Sequence, residues 1–216
     1  MEDTLCIWYN YHAIALMNLS PSQKKGFTFI ELVVTIGVFA LLSTLAVGNF
    51  RNTTKTLSLN SLANLVMSDI RRAQAKGISN QSYPGTNYIA PAVGVSFDST
   101  YDTAYMMFLD VNDDKLNSSL GSSCSGECTE RLVIKDGSTI SHIKAKRTSG
   151  GVGAQLRELD SLHFTFQRPD PEPVIKGKEN DNVTRDYYYA EIWLTSRDGL
   201  ITKKIDVWKT GMIGML

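Results

Sequence analysis

A 21-residue run from Phe27 to Val47 holds a single ionisable side chain, Glu31, and directly follows Lys24-Lys25-Gly26. Coiled as a helix, the run is about 31 Å long, enough to cross a bilayer core of roughly 30 Å. A carboxylate inside such a span costs on the order of 2.5–3.5 kcal/mol at mid-bilayer and less near the interface. An acid at the fifth position of the run therefore calls for a partner. The remaining residues, roughly 160, suffice for one domain of ordinary size.

Two common segment types leave Glu31 unexplained. A secretory signal places cations before an apolar core, as here, but is cut after the core at small residues, for which Thr44-Leu45-Ala46 is a weak match. A plain membrane anchor has no use for the acid. The contiguous stretch GFTFIELVVTIGVFALL resembles the class III signal of type IV prepilins and type II secretion pseudopilins. That resemblance implies cleavage between Gly26 and Phe27 by a prepilin peptidase, N-methylation of Phe27, and Lys24 and Lys25 as the leader cations. It further implies that Glu31 pairs with the N-terminal amine of a neighbouring subunit in a filament. The partners it implies are the peptidase, other pilin or pseudopilin subunits, an ATP-driven inner-membrane assembly platform and membrane lipid. The location it implies is a single pass through the cytoplasmic membrane, with the head outside, and then a filament.

On this reading residues 1–26 are a leader. Starting at Met17 instead gives MNLSPSQKKG, a short basic leader of the family's usual kind, so residues 1–16 read as a mispredicted start. Charge leaves topology open, because Lys24 and Lys25 are matched by Arg51 and Lys55 beyond the span. Lysine plus arginine equals aspartate plus glutamate, 22 each. The leader removes two of each sign, and a balanced chain has no general pull on nucleic acid or anionic lipid.

Beyond the span, Leu59, Leu62, Val66, Ile70 and Ala73 recur at steps of three and four, one buried helical stripe. Asn52, Lys55, Asn60, Asp69, Arg71 and Arg72 fall largely off it, and Gly77 reads as a stop. One long helix is expected from near Phe27 to near Lys76, with 27–50 the transmembrane and assembly part and 51–77 its amphipathic continuation. LANLVMSDIRRAQAKG resembles the same segment of the GspH/FimT group of pseudopilins and minor pilins.

Residues 78–216 read as a β-rich head. Strands are expected at Val93–Phe97, Ala104–Asp110, Arg131–Lys135, Thr139–Ala145, Leu162–Gln167, Tyr187–Thr195 and Leu200–Trp208. The last two are joined by Ser196-Arg197-Asp198-Gly199, a strong hairpin signal. In the first of them Tyr188, Ala190, Ile192 and Leu194 alternate with Tyr187, Tyr189, Glu191 and Trp193. The charged, proline-rich stretch RPDPEPVIKGKENDN reads as an exposed loop. The fold class is α+β: a long N-terminal helix packed on an antiparallel sheet or β-sandwich, pilin-like. FLDVNDD resembles a strand-end segment of pseudopilin heads.

Four features bear on chemistry. Cys124 and Cys128, in SSCSGECTE, are the only cysteines after the leader, and outside the cytoplasm they suit a small disulfide loop; free thiols are the alternative. Asp110, Asn112 and Asp114 place oxygens at alternate positions as a calcium loop begins. However, Lys115 stands where the tight-turn glycine belongs and Gly121 where the bidentate glutamate belongs, so a solvated turn is the main expectation and no cofactor is implied. His142 and His163 lie in strand-like segments, and no Gly-x-Ser-x-Gly, Walker or HExxH motif is present, so an enzyme is not expected. A basic surface from His142 to Arg147 with Lys203, Lys204 and Lys209 would suit a DNA-binding minor pilin, one alternative to a structural subunit of a secretion pseudopilus or pilus; a membrane-anchored exported binding domain that does not assemble is the other.

Overall fold

The structure is a computed structural model, and it describes residues 26–79, 92–118, 123–147 and 155–216, the side chains of 46–52 excepted. Residues 1–25 of the expected leader, with Lys24, Lys25 and Met17, and also Gly121, lie outside the described residues. The chain divides into two units, Met1–Ala46 and Val47–Leu216.

Helix α1 spans Phe29–Ile78. In the first unit its described side chains are exposed throughout. Side chains along the apolar run are described only as far as Leu45, so the expected span is not covered whole. Among the described residues no helix is long and apolar enough to cross a membrane.

In the second unit α1 packs on an antiparallel sheet. The expected stripe is the buried face: Leu59, Leu62, Val66, Ile70 and Ala73 all lie in the core, and Ala63 joins them. Two expectations about this helix are corrected. Asp69, read as off the stripe, is buried, because Tyr105 and Arg72 supply it with partners. Gly77 does not stop the helix: it is buried inside it, and a Cβ there would lie 2.5 Å from the Phe166 carbonyl oxygen. Its missing side chain is what lets helix and sheet backbone approach this closely.

The strands are β1 Ala92–Asp98, β2 Ala104–Asp110, β3 Cys128–Val133, β4 Thr139–Arg147, β5 Arg157–Glu158, β6 Ser161–Gln167, β7 Asp170–Lys178, β8 Thr184–Thr195, β9 Thr202–Trp208 and β10 Ile213–Met215. Their order is β10-β9-β8-β7-β6-β1-β2-β3, with β4 pairing both β8 and β5. β3 begins at Cys128, three residues earlier than the sequence suggests. β9 begins at Thr202, since the hairpin turn runs to Ile201, closed by Ser196 N–H to Ile201 C=O at 2.9 Å with Gly199 at φ +74°.

The expected loop RPDPEPVIKGKENDN is instead largely strand β7. Its prolines are tolerated because Gln167 pairs Asp170 and Thr165 pairs Val174, so Pro171 and Pro173 stand in an irregularity that asks for no ladder N–H. Pro173, Ile175 and Gly177 then face inward.

Strand β8 holds the sheet's two parts together. Thr184–Tyr187 pair with β7, Tyr189–Thr195 with β9, and Tyr187–Thr195 with β4. Tyr188 stands opposite no residue in any of these ladders, a bulge that reverses the facing of everything before it. Tyr187 is therefore in the core with Ala190, Ile192 and Leu194, while Tyr188 is exposed.

Candidate functional site

The segment Gly26-Phe27-Thr28 precedes the first turn of α1. Thr28 caps the helix: its Oγ1 accepts the Glu31 N–H at 3.3 Å and its carbonyl accepts the Leu32 N–H at 3.1 Å. Satisfying these otherwise orphaned amides is why the helix starts here. Glu31 thus sits in the first turn, where the amide dipoles favour an anion. Around it Phe27, Phe29, Ile30 and Leu32 are exposed, as are Val34, Phe39, Leu41, Leu42 and Leu45 further along. Among the described residues, no atom beyond the chain neighbours and the helix's own backbone comes within 4 Å of where a Cβ would stand on Gly26 or Gly37. A helix that is apolar all round and uncovered all round needs an apolar environment from outside its own unit.

In the head, Cys124 and Cys128 form a disulfide with Cα atoms 5.1 Å apart. The acids of the β2–β3 connection are engaged by the chain itself. Asp110 accepts the N–H groups of Asp114 and Lys115 at 3.1 and 3.2 Å, Asn112 Oδ1 accepts the Asp114 N–H, and Asp114 accepts the Leu116 N–H at 2.7 Å. The Lys115 ammonium lies 3.4 Å from Asp110 and also contacts Asp113. Burial pushes the Asp110 carboxyl up, and Lys115 works against it. Among the described residues no group of three or more His, Cys, Asp or Glu side chains is placed to hold a metal ion.

Residues 21–47 match the family described as the prokaryotic N-terminal methylation motif. The chain carries a class III methylation signal. This motif indicates a type IV pilin-like protein and a prepilin peptidase substrate, and its family is structural rather than enzymatic. Gly26, Phe27, Thr28 and Glu31 all fall inside the matched stretch, as does the exposed apolar helix up to Leu45. No curated protein and no solved structure matches the chain.

Away from the methylation motif, the cations considered as a basic surface are largely answered by acids or rings. His142 meets Glu158, Arg147 meets Glu179 at 3.1 Å, Lys204 meets Glu191 at 3.1 Å and Asp206 at 3.4 Å, and the Lys144 ammonium lies 5.6 Å from the Trp193 ring centre. Burial would raise Glu179, but the Tyr187 hydroxyl with Arg147, Arg157 and Arg185 outweighs it and holds the carboxyl below the usual range. Glu191 is held low in the same way by Tyr189, Trp193 and Lys204. Sequence patterning missed these networks, because cross-strand partners are set by register and register was not readable.

His163 is fully buried, its Nδ1 accepting the Asn117 N–H at 3.3 Å while Nε2 has no hydrogen-bond partner among the described residues. Burial, aided by Lys178 and Lys176, pushes it down to about 3. An alternating strand placed at a sheet's solvent face would leave such a histidine exposed. It is covered here because residues of the β2–β3 connection fold back over that face.

Proposed function

We propose that the chain is a structural minor pilin or pseudopilin, assembled through its N-terminal helix into a filament, with a type II secretion pseudopilus favoured and a type IV pilus next. The observation that carries this reading is the helix segment from Phe29 to Leu45, apolar and exposed on every side, inside the match to the methylation motif. Before assembly, lipid covers that surface, with Phe27–Val47 as the span and the head outside the cytoplasm. After assembly, the helices of neighbouring subunits cover it. Prepilin peptidase cuts between Gly26 and Phe27, and Phe27 becomes the methylated N-terminus. Glu31, four residues on and in the first turn, then serves as the anion for the amine of the next subunit. An inner-membrane platform driven by ATP extracts the helix.

Mass spectrometry of the protein from native membranes or sheared filaments tests the reading. A chain beginning at N-methyl-Phe27 is expected. A chain that retains residues before Phe27, or that begins near Val47, would overturn it.

A further inference from the structure

Glu127 lies within the five-residue ring closed by Cys124 and Cys128, next to Gly126 at φ +61°. Its carboxylate clamps both ends of the segment Val111–Ser118. Oε1 accepts the Val111 N–H at 3.2 Å, and Oε2 accepts the N–H and hydroxyl of Ser118 at 3.1 and 2.8 Å. The clamped segment covers the face of β1 and β6 opposite α1. Asn117 donates its backbone N–H to His163 Nδ1 at 3.3 Å and its side-chain amide to Ser96 at 2.8 Å, and the Lys115 carbonyl accepts the Thr165 hydroxyl at 3.2 Å. Beneath it His163 Nε2 and Ser161 Oγ are buried without hydrogen-bond partners among the described residues.

The cross-link adds to two backbone bonds of this ring: the Glu127 carbonyl accepts the Leu109 N–H at 2.9 Å, and the Ser125 carbonyl accepts the Cys128 N–H at 3.2 Å. Cys124, Ser125 and Gly126 are exposed, and Gly126 is the residue type with the widest backbone freedom. The cross-link restricts that freedom, and it ends on an exposed residue, Cys124, where a thiolate can approach it.

We propose that Cys124–Cys128 is a redox latch: oxidised, it fixes the Glu127 carboxylate that clamps Val111–Ser118 over the outer face of the sheet; reduced, it frees that segment and uncovers His163 and Ser161. The opening step is thiol–disulfide exchange with a dithiol. Two electrons and two protons pass to the protein, giving two cysteine thiols, and the dithiol leaves as its own disulfide. A chain kept reduced presents an open polar face, and the closed face forms only after oxidation.

Hydrogen exchange of the full chain, read by mass spectrometry with and without dithiothreitol, tests the latch, with ethoxyformylation by diethyl pyrocarbonate as a second readout. On reduction, or in the C124S/C128S variant, amides of Val111–Ser118 exchange at least about ten-fold faster while β6 and β8 keep their protection. His163, protected when oxidised, becomes modified as exposed His142 already is. Glu127→Ala reproduces both effects with the disulfide intact. Unchanged exchange on reduction would overturn the proposal. So would loss of protection throughout the head, which would make the disulfide a general staple, or a Glu127→Ala chain whose segment stays closed.

Discussion

The Tyr105 hydroxyl donates a hydrogen bond to Asp69 at 2.7 Å, and both residues are buried between α1 and β2. Asp69 also meets Arg72 at 3.1 Å, and Arg72 reaches Glu130 of β3 at 2.9 Å. A polar chain thus runs from the helix across two strands, fixing the helix's rotation and register where an apolar stripe alone would allow sliding. Burial, reinforced by Asp69, pushes the Tyr105 phenol far up, so it remains a donor at any pH at which the head is folded. Tyr105→Phe removes the donor but leaves the buried acceptor, which costs about 1–3 kcal/mol. Urea unfolding followed by the fluorescence of Trp193 and Trp208 reads the loss; a midpoint unmoved by the substitution would mean the contact adds nothing to stability.

What the sequence made legible follows the strength of each local pattern. The helical stripe from Leu59 to Ala73 was readable because five apolar residues at steps of three and four match a helix face and neither a strand nor a turn. Strands β1, β2 and β6 were readable from runs dense in apolar, β-branched and aromatic residues. Asp69 was not, since periodicity assigns an acid to the solvent and cannot see a tyrosine on a distant strand. Strand β7 was hidden by its prolines, which an irregularity opposite Phe166 accommodates. The alternation around Tyr187 and Tyr188 breaks because one bulged residue changes the parity of a strand, and no composition rule marks where a bulge falls. The buried His163 depends on a distant segment folding over its face, a long-range event with no local signal.

Gly77 is expected to tolerate no side chain. A methyl there lies 2.5 Å from the Phe166 carbonyl oxygen and 2.8 Å from its Cβ, and neither atom belongs to a flexible side-chain end. Gly77→Ala would force α1 and β6 apart and destabilise by about 1–3 kcal/mol, against the gain in helix propensity that alanine normally brings. A melting temperature equal to or above that of the native sequence would show that the two backbones have room to give.

Acid should act on His163 before it acts on the carboxylates. Its pKa is about 3 in the fold, below the 6.5 of an unfolded histidine, so between those values only the unfolded chain takes the proton. Stability from this residue is therefore complete above pH 6.5 and falls toward pH 3, at a slope approaching 1.4 kcal/mol per pH unit. The groups facing it, Asn117, Asp114, Lys176 and Lys178, do not reverse that sign. Compared at pH 7 and pH 4.5, His163→Gln should show a shallower loss of unfolding midpoint than the native chain. Parallel losses would place the acid sensitivity elsewhere.

Thr28 and Glu31 allow helix capping to be separated from assembly. Thr28 Oγ1 accepts the Glu31 backbone N–H, so the cap depends on the threonine oxygen and not on the Glu31 charge. Thr28→Ala should fray the first turn at a cost of about 0.5–2 kcal/mol. Glu31→Gln keeps a residue type that suits the third helical position while removing the anion. If Glu31 is the assembly contact, Glu31→Gln should retain cleavage after Gly26 and a protected first turn, yet yield few filaments by shearing and electron microscopy. Thr28→Ala should show the opposite balance, with faster amide exchange at Glu31 and Leu32 but filaments still formed. Filaments at native abundance from Glu31→Gln would assign the acid to the helix dipole alone and leave the amine of the neighbouring subunit to find another partner.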